Sequence, residues 1–184
     1  LSRTKVRQAL FQLAKDRVVE LQPGRGACVA QPSVREAREI FDARRVIEHA
    51  IMSRVAGLAD GAALARLQEH VALEARAAAA GDARASTRLS GEFHLLIAGM
   101  AGNAVLAELL RELVARTSLI IVLYGASLAA TCPRDEHGEL LRHLREGDAD
   151  AAARAMSAHL DHIERGLNLR EAAPDAVDLR VALA

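Results

Sequence analysis

Seven histidines, His49, His70, His94, His137, His143, His159 and His162, are the side chains of this 184-residue chain best suited to proton or metal chemistry near neutral pH. Helical phase separates them. His94 shares a face with Ser90, Gly91, Ala98 and Ala101, a stripe of small residues expected to leave a hollow beside one imidazole. His137 continues a stripe of Leu140, Leu141 and Leu144, and His159 one of Ala152, Ala155, Met156 and Ile163. Three histidines on three helices therefore point inward, where neutral imidazoles can hold a divalent metal with water or a small ligand completing the shell. His143 falls off the apolar stripe, and His49 and His70 have acidic neighbours, so these three are expected to be surface or structural. His162 is a rival to His159 for the inward position.

Catalytic patterns are sparse. The chain has no Gly-x-Ser-x-Gly elbow, no phosphate-binding glycine loop and no His-Glu-x-x-His pair. A metal-dependent helical-bundle enzyme remains as an alternative, with His94, His137 and His159 activating water through an open metal position. Ser90 and His94, spaced i and i+4, have the spacing of a nucleophile and its base, but no third group to orient the imidazole is visible.

The elements that must position these residues are mostly helices. Val6, Leu10, Leu13 and Ala14 predict a short helix from Ser2 to about Asp16, with Arg3, Lys5 and Arg7 on its other face. Val18–Leu21 and Ala27–Ala30 flank a Pro23-Gly24-Arg25-Gly26 turn, which predicts a small hairpin. Gln31-Pro32 marks a boundary, and the capping box Ser33-Val34-Arg35-Glu36 opens a helix running to about Gly57. Further helices are expected over Asp60–Ala80, Asp82–Ala101, Asn103–Gly125, Thr131–Glu146 and Asp148–Arg170, with N-cap residues at their starts and glycines at most of their ends. The expected fold is an all-α antiparallel bundle of about six helices over 32–170. It follows a small helix-and-hairpin unit over 1–31 and precedes a tail over 171–184.

Composition agrees with a globular protein: hydrophobic residues make up 51%, charged residues 26% and aromatics only 2%. Leu, Ile, Val and Ala must build the core, which argues against a β-sandwich. The longest uncharged stretch, Thr117–Pro133, is too short and too polar for a bilayer span. Cys28 and Cys132 form no metal-type pair and no disulfide framework, which fits free thiols in a reducing cytoplasm. Net charge is zero, yet residues 1–30 carry six cations against two anions and the remainder is correspondingly acidic. Such asymmetry suits a nucleic-acid-facing end on an acidic body. The start, Leu1-Ser2-Arg3-Thr4, lacks an initiator Met and a signal core, so the chain is expected to begin inside a longer product.

Ser2-Arg3-Thr4-Lys5-Val6-Arg7-Gln8-Ala9-Leu10, with Val19-Glu20-Leu21 and Pro23 to Ala30, resembles the recognition helix and wing of GntR-family transcription regulators. The family usually has Pro and Glu where Lys5 and Gln8 stand. The resemblance implies a partial winged helix-turn-helix whose first two helices are absent, so that this fragment alone should bind operator DNA poorly. It also implies that Ser2, Arg3, Thr4 and Arg7 contact the operator and that the Gly24-Arg25-Gly26 wing tip enters the minor groove. Such roles agree with how arginines read guanine and how polar side chains clamp phosphates.

The remainder resembles the FCD effector domain of the FadR subgroup, through Arg44-Arg45-Val46-Ile47-Glu48, Glu92-Phe93-His94, Ala101-Gly102-Asn103, Asp135-Glu136-His137, Glu146-Gly147-Asp148 and Ala155 to His159. The resemblance implies a divalent metal, Zn or Ni, on His94, His137 and His159, with Ser90 in the place of a usual Asp or Asn. A neutral hydroxyl is a poorer ligand than a carboxylate. It implies a small organic or sugar acid as effector with Arg44 binding its anionic end, the competing role for Arg44 being an ion pair with Glu48. It further implies a homodimer and, more often than not, a repressor released by its effector. A bundle that only dimerises is the blandest alternative.

Overall fold

The computed structural model describes residues 2–24, 26–58, 60–125 and 136–169. Among them are seven helices and one two-stranded sheet: α1 (Arg3–Lys15), β1 (Val19–Gln22), β2 (Gly26–Val29), α2 (Val34–Val55), α3 (Gly61–Ala79), α4 (Ala83–Met100), α5 (Ala104–Tyr124), α6 (Glu136–Glu146) and α7 (Ala149–Arg165). Arg25, Cys132, the expected start of a helix at Thr131, Arg170 and the tail over 171–184 lie outside the described residues.

Local chemistry sets the helix boundaries. Ser2, Ser33, Asp60, Asp82, Asn103 and Asp148 each accept a backbone N–H of the first turn through the side-chain oxygen. The strands pair antiparallel, with Val19 opposite Val29 and Gln22 opposite Gly26, and left-handed Gly24 (φ 74°) helps close the turn. One expected boundary is corrected. α7 ends at Arg165 rather than near Arg170, because Gly166 caps it and the next residues bond elsewhere: Leu167 pairs with Gly125, and Asn168 N–H donates to the Tyr124 carbonyl at 2.8 Å.

Two clusters form the core. The larger gathers Met52, Val55, Phe93, Ile97, Leu110, Leu140, Leu144, Met156 and Leu160 from five helices of the bundle. The smaller joins Ala37, Ile40 and Phe41 of α2 to Ile120 and Tyr124 of α5 and to Ile163 and Leu169 at the end of α7. α2 runs through both and packs against α7 and α5. The stripe of small residues on α4 serves this packing: a Cβ on Gly91 would stand 3.0 Å from Val114 Cγ1, and Ala98 and Ala101 are buried in the core. At Gly91 the expected hollow is thus filled by α5.

The helix-and-hairpin unit is fastened differently. α1 buries none of its residues, and Val6, Phe11 and Leu13 are exposed. Ion pairs at its end, Lys15–Glu108 at 3.2 Å and Arg17–Glu112 at 3.3 Å, tie it to α5. The linker is held by Tyr124, whose buried hydroxyl donates to the Pro32 carbonyl at 2.7 Å.

Candidate functional site

Three helices bring their imidazoles together. His94 of α4, His137 of α6 and His159 of α7 are all buried, and one ligand nitrogen from each lies within 4.8 Å of the others. His137 Nε2 and His159 Nε2 are 3.2 Å apart. Phe93 stacks on His137 with centroids 4.0 Å apart and forms an apolar wall to the cluster.

Carboxylates hold the outer nitrogens. His137 Nδ1–H donates to Glu74 of α3 at 2.8 Å, His159 Nδ1–H to Glu136 at 2.7 Å, and His94 Nδ1–H to Glu48 of α2 in a short hydrogen bond. The tautomers follow from these partners: each proton sits on Nδ1 and each Nε2 keeps its lone pair. The other oxygen of Glu136 accepts from His162 Nδ1 at 2.5 Å, which places His162 outside the cluster, beside His159's carboxylate. Of the remaining histidines, His49 is exposed and His143 half-buried, while buried His70 has Nε2 2.8 Å from the Leu89 carbonyl.

Burial and neighbouring charges keep His94 and His137 neutral. Burial pushes the His94 pKa down to about 3, with Glu48 opposing the shift and Arg44 and His159 adding to it. Burial also lowers His137 well below its ordinary value, and the neighbouring His159 ring adds to it. Burial would raise Glu48, but the Arg44 guanidinium and His94 together outweigh it and hold the carboxyl down at about 2. On the inner side the Nε2 lone pairs of His137 and His159 meet at 3.2 Å. Two nitrogens ~2.0–2.1 Å from a tetrahedral zinc would be about 3.3 Å apart, so this donor set fits a divalent ion. His94 Nε2, buried and without a hydrogen-bond partner among the described residues, is an orphan such an ion would satisfy.

Arg44 is buried beside the cluster's outer edge. Its Nε–H donates to Glu48 Oε1 at 2.7 Å, while the buried Nη2 has no partner among the described residues. Both roles weighed for Arg44 therefore meet in one side chain, an ion pair with Glu48 and an unused donor. Ser90 stands one turn before His94 on α4, half-buried. At the other end of the chain, Ser2, Arg3, Thr4, Arg7 and Gly24 are exposed; the Ser2 hydroxyl oxygen caps α1, while its O–H can still donate. Gly26, also exposed, takes a left-handed φ of 94°.

Sequence reasoning missed Glu74 and Glu136, and treated Glu48 only as a partner for Arg44. Glu48 carries a signal of its own, lying on the same helical phase as Phe41, Arg44, Ile51 and Val55, where an acid has no reason to be unless something inside needs it.

An all-helical bundle with a buried histidine cluster thus follows an exposed basic helix and a hairpin, an arrangement that suits a DNA-binding regulator. The comparisons agree. Residues 39–162 match the model of the FCD domain. The HTH-type transcriptional repressor RspR of Escherichia coli K12 is 24% identical over 171 residues, covering 91% of this chain and 74% of that protein. Among solved structures, a GntR transcriptional regulator from Rhodococcus sp. RHA1 aligns with a TM-score of 0.74 at 25% identity, over 90% of this chain and 79% of that one. E. coli McbR/YncC also aligns with a TM-score of 0.74, at 23% identity over 88% and 82%. The chain belongs to the FCD-domain family of GntR-type transcriptional regulators. The reading as a metal-dependent enzyme is set aside with it.

Proposed function

We propose that this chain serves in a cytoplasmic, homodimeric repressor whose hold on operator DNA is released by a small organic or sugar acid bound in the helical domain with the help of a divalent metal, Zn or Ni. The observation that carries the reading is the convergence of His94, His137 and His159 through lone-pair nitrogens, each backed by a carboxylate, near the unused Nη2 donor of Arg44. When bound, the ion would supply a Lewis-acidic position for a carboxylate oxygen. The chain's own residues do the rest. Glu48, Glu74 and Glu136 fix the ring orientations, Phe93 keeps one side apolar, and Arg44 offers a charge-assisted hydrogen bond to an anion. Ser2, Arg3, Thr4 and Arg7 on α1, with Gly24, Arg25 and Gly26 at the wing tip, would contact the operator. The effector then acts by binding one placement of the DNA-reading unit better than another. Among the described residues no helix is long and apolar enough to cross a membrane.

Elemental analysis of the purified protein tests the metal. Near-stoichiometric metal in the wild type, lost in His94→Ala, is expected, and Ser90→Asp should strengthen retention by adding a carboxylate. Wild-type protein free of metal after exposure to Zn or Ni would overturn the metal-assisted reading.

A further inference from the structure

Glu48 stands between two unfinished interactions. Its Oε1 accepts from Arg44 Nε and its Oε2 from His94 Nδ1, and all three side chains are buried. Among the described residues, a donor without a partner, Nη2, lies beyond Arg44, and an acceptor without a partner, Nε2, beyond His94. One end of this relay therefore calls for an anion and the other for a cation. Glu136 also serves two side chains, but both are imidazoles; Glu48 is shared between a guanidinium and a histidine of the cluster.

We propose that Glu48 is a positioning residue that joins the Arg44 anion position to the His94 ligand nitrogen, so that anion and metal each strengthen the binding of the other. An anion on Nη2 draws the guanidinium's charge away from Glu48. The carboxylate then polarises the His94 Nδ1–H bond more strongly, and Nε2 becomes a better donor. A cation on Nε2 acts in reverse, turning Glu48 toward His94 and freeing Arg44 for the anion. The coupling is reciprocal by thermodynamic necessity. This inference rests on the functional reading above, and its fate can be separated from it.

The test uses Glu48→Gln in the full chain, with zinc alone and with acetate as a simple monocarboxylate probe. In the metal-free wild type, long-range proton–nitrogen NMR should show His94 with its proton on Nδ1. In Glu48→Gln the amide can donate to Nδ1, and the proton should move to Nε2. Zinc affinity, measured by competition with a chromophoric chelator, should fall about 10–100-fold, the usual effect of removing such a partner. Acetate should tighten zinc binding to the wild type by about fivefold or more and to Glu48→Gln by clearly less, since only a direct bond from acetate to the ion is then left. Should that variant fail to fold, Arg44→Gln takes its place: zinc binding persists and the acetate response falls in the same way. An unchanged His94 tautomer in folded Glu48→Gln, or an acetate response as large in either variant as in the wild type, overturns the proposal. Zinc binding to the wild type that acetate does not change overturns the coupling while leaving the metal reading intact; no zinc binding at all overturns both.

Discussion

Acidifying the metal-free protein should unfold it by way of the histidine cluster. In the folded state His94 has its pKa lowered to about 3 from 6.5, so as pH falls below 6.5 the unfolded chain takes up a proton that the folded chain refuses. Stability is therefore fully present above pH 6.5 and declines as pH falls toward 3. Each such proton changes the free energy by about 1.4 kcal/mol per pH unit, so His94 alone removes about 2 kcal/mol between pH 6.5 and 5. His137, also lowered by burial, adds in the same direction, and Glu48 extends the loss from pH 4.5 down toward 2. Against a typical total of about 5–15 kcal/mol the effect is large. Urea unfolding of chelator-treated protein, followed by far-ultraviolet circular dichroism at pH 7, 6 and 5, measures it. His94→Gln should flatten the dependence by about 2 kcal/mol over that range. Equal stability at pH 7 and 5, or a His94→Gln slope matching the wild type, would refute the argument that this imidazole is held neutral by burial.

Two glycines of α4 should respond in opposite senses. Gly99 has open space around its Cβ position, so Gly99→Ala should stabilise by about 0.5–1 kcal/mol, whereas Gly91→Val should cost on the order of 2–3 kcal/mol against Val114; thermal melts compare them directly. Tyr124→Phe removes the donor to the buried Pro32 carbonyl and should lower stability by about 1–2 kcal/mol in the same assay. Within the complete regulator, replacing Arg3 or Arg7 by Ala should reduce the salt dependence of operator binding by about one unit of slope for each phosphate no longer neutralised, read from titrations at several salt concentrations.

Much of the framework is legible in the sequence because its signals are local. Asp60, Asp82, Asn103 and Asp148 announce helix starts, and each does so by accepting a backbone N–H within its own first turn. The inward phases of His94, His137 and His159 follow from the apolar residues three and four positions away. What is not legible depends on partners distant in sequence. Glu74 reaches His137 across sixty-three positions, and Glu48 reaches His94 across forty-six. Leu167 extends the spacing of Ile163 and so looks helical, yet its backbone pairs with Gly125 at the end of another helix. Gly91 shows the same limit: a missing side chain can mean an empty space or a close neighbour, and here it means Val114.

Pro32, Tyr124 and Asn168 lie at one junction, where the linker, the end of α5 and the chain leaving α7 are held by two hydrogen bonds. Mechanically this is the root of a lever. α1, thirteen residues long, extends about 20 Å, and a rotation of about 10° over that arm carries its tip through about 3.5 Å. That displacement matches one base-pair step along a DNA strand, about 3.4 Å. For a helix whose tip meets DNA, a rotation of that size about the junction would displace the contacting side chains by about one base-pair spacing.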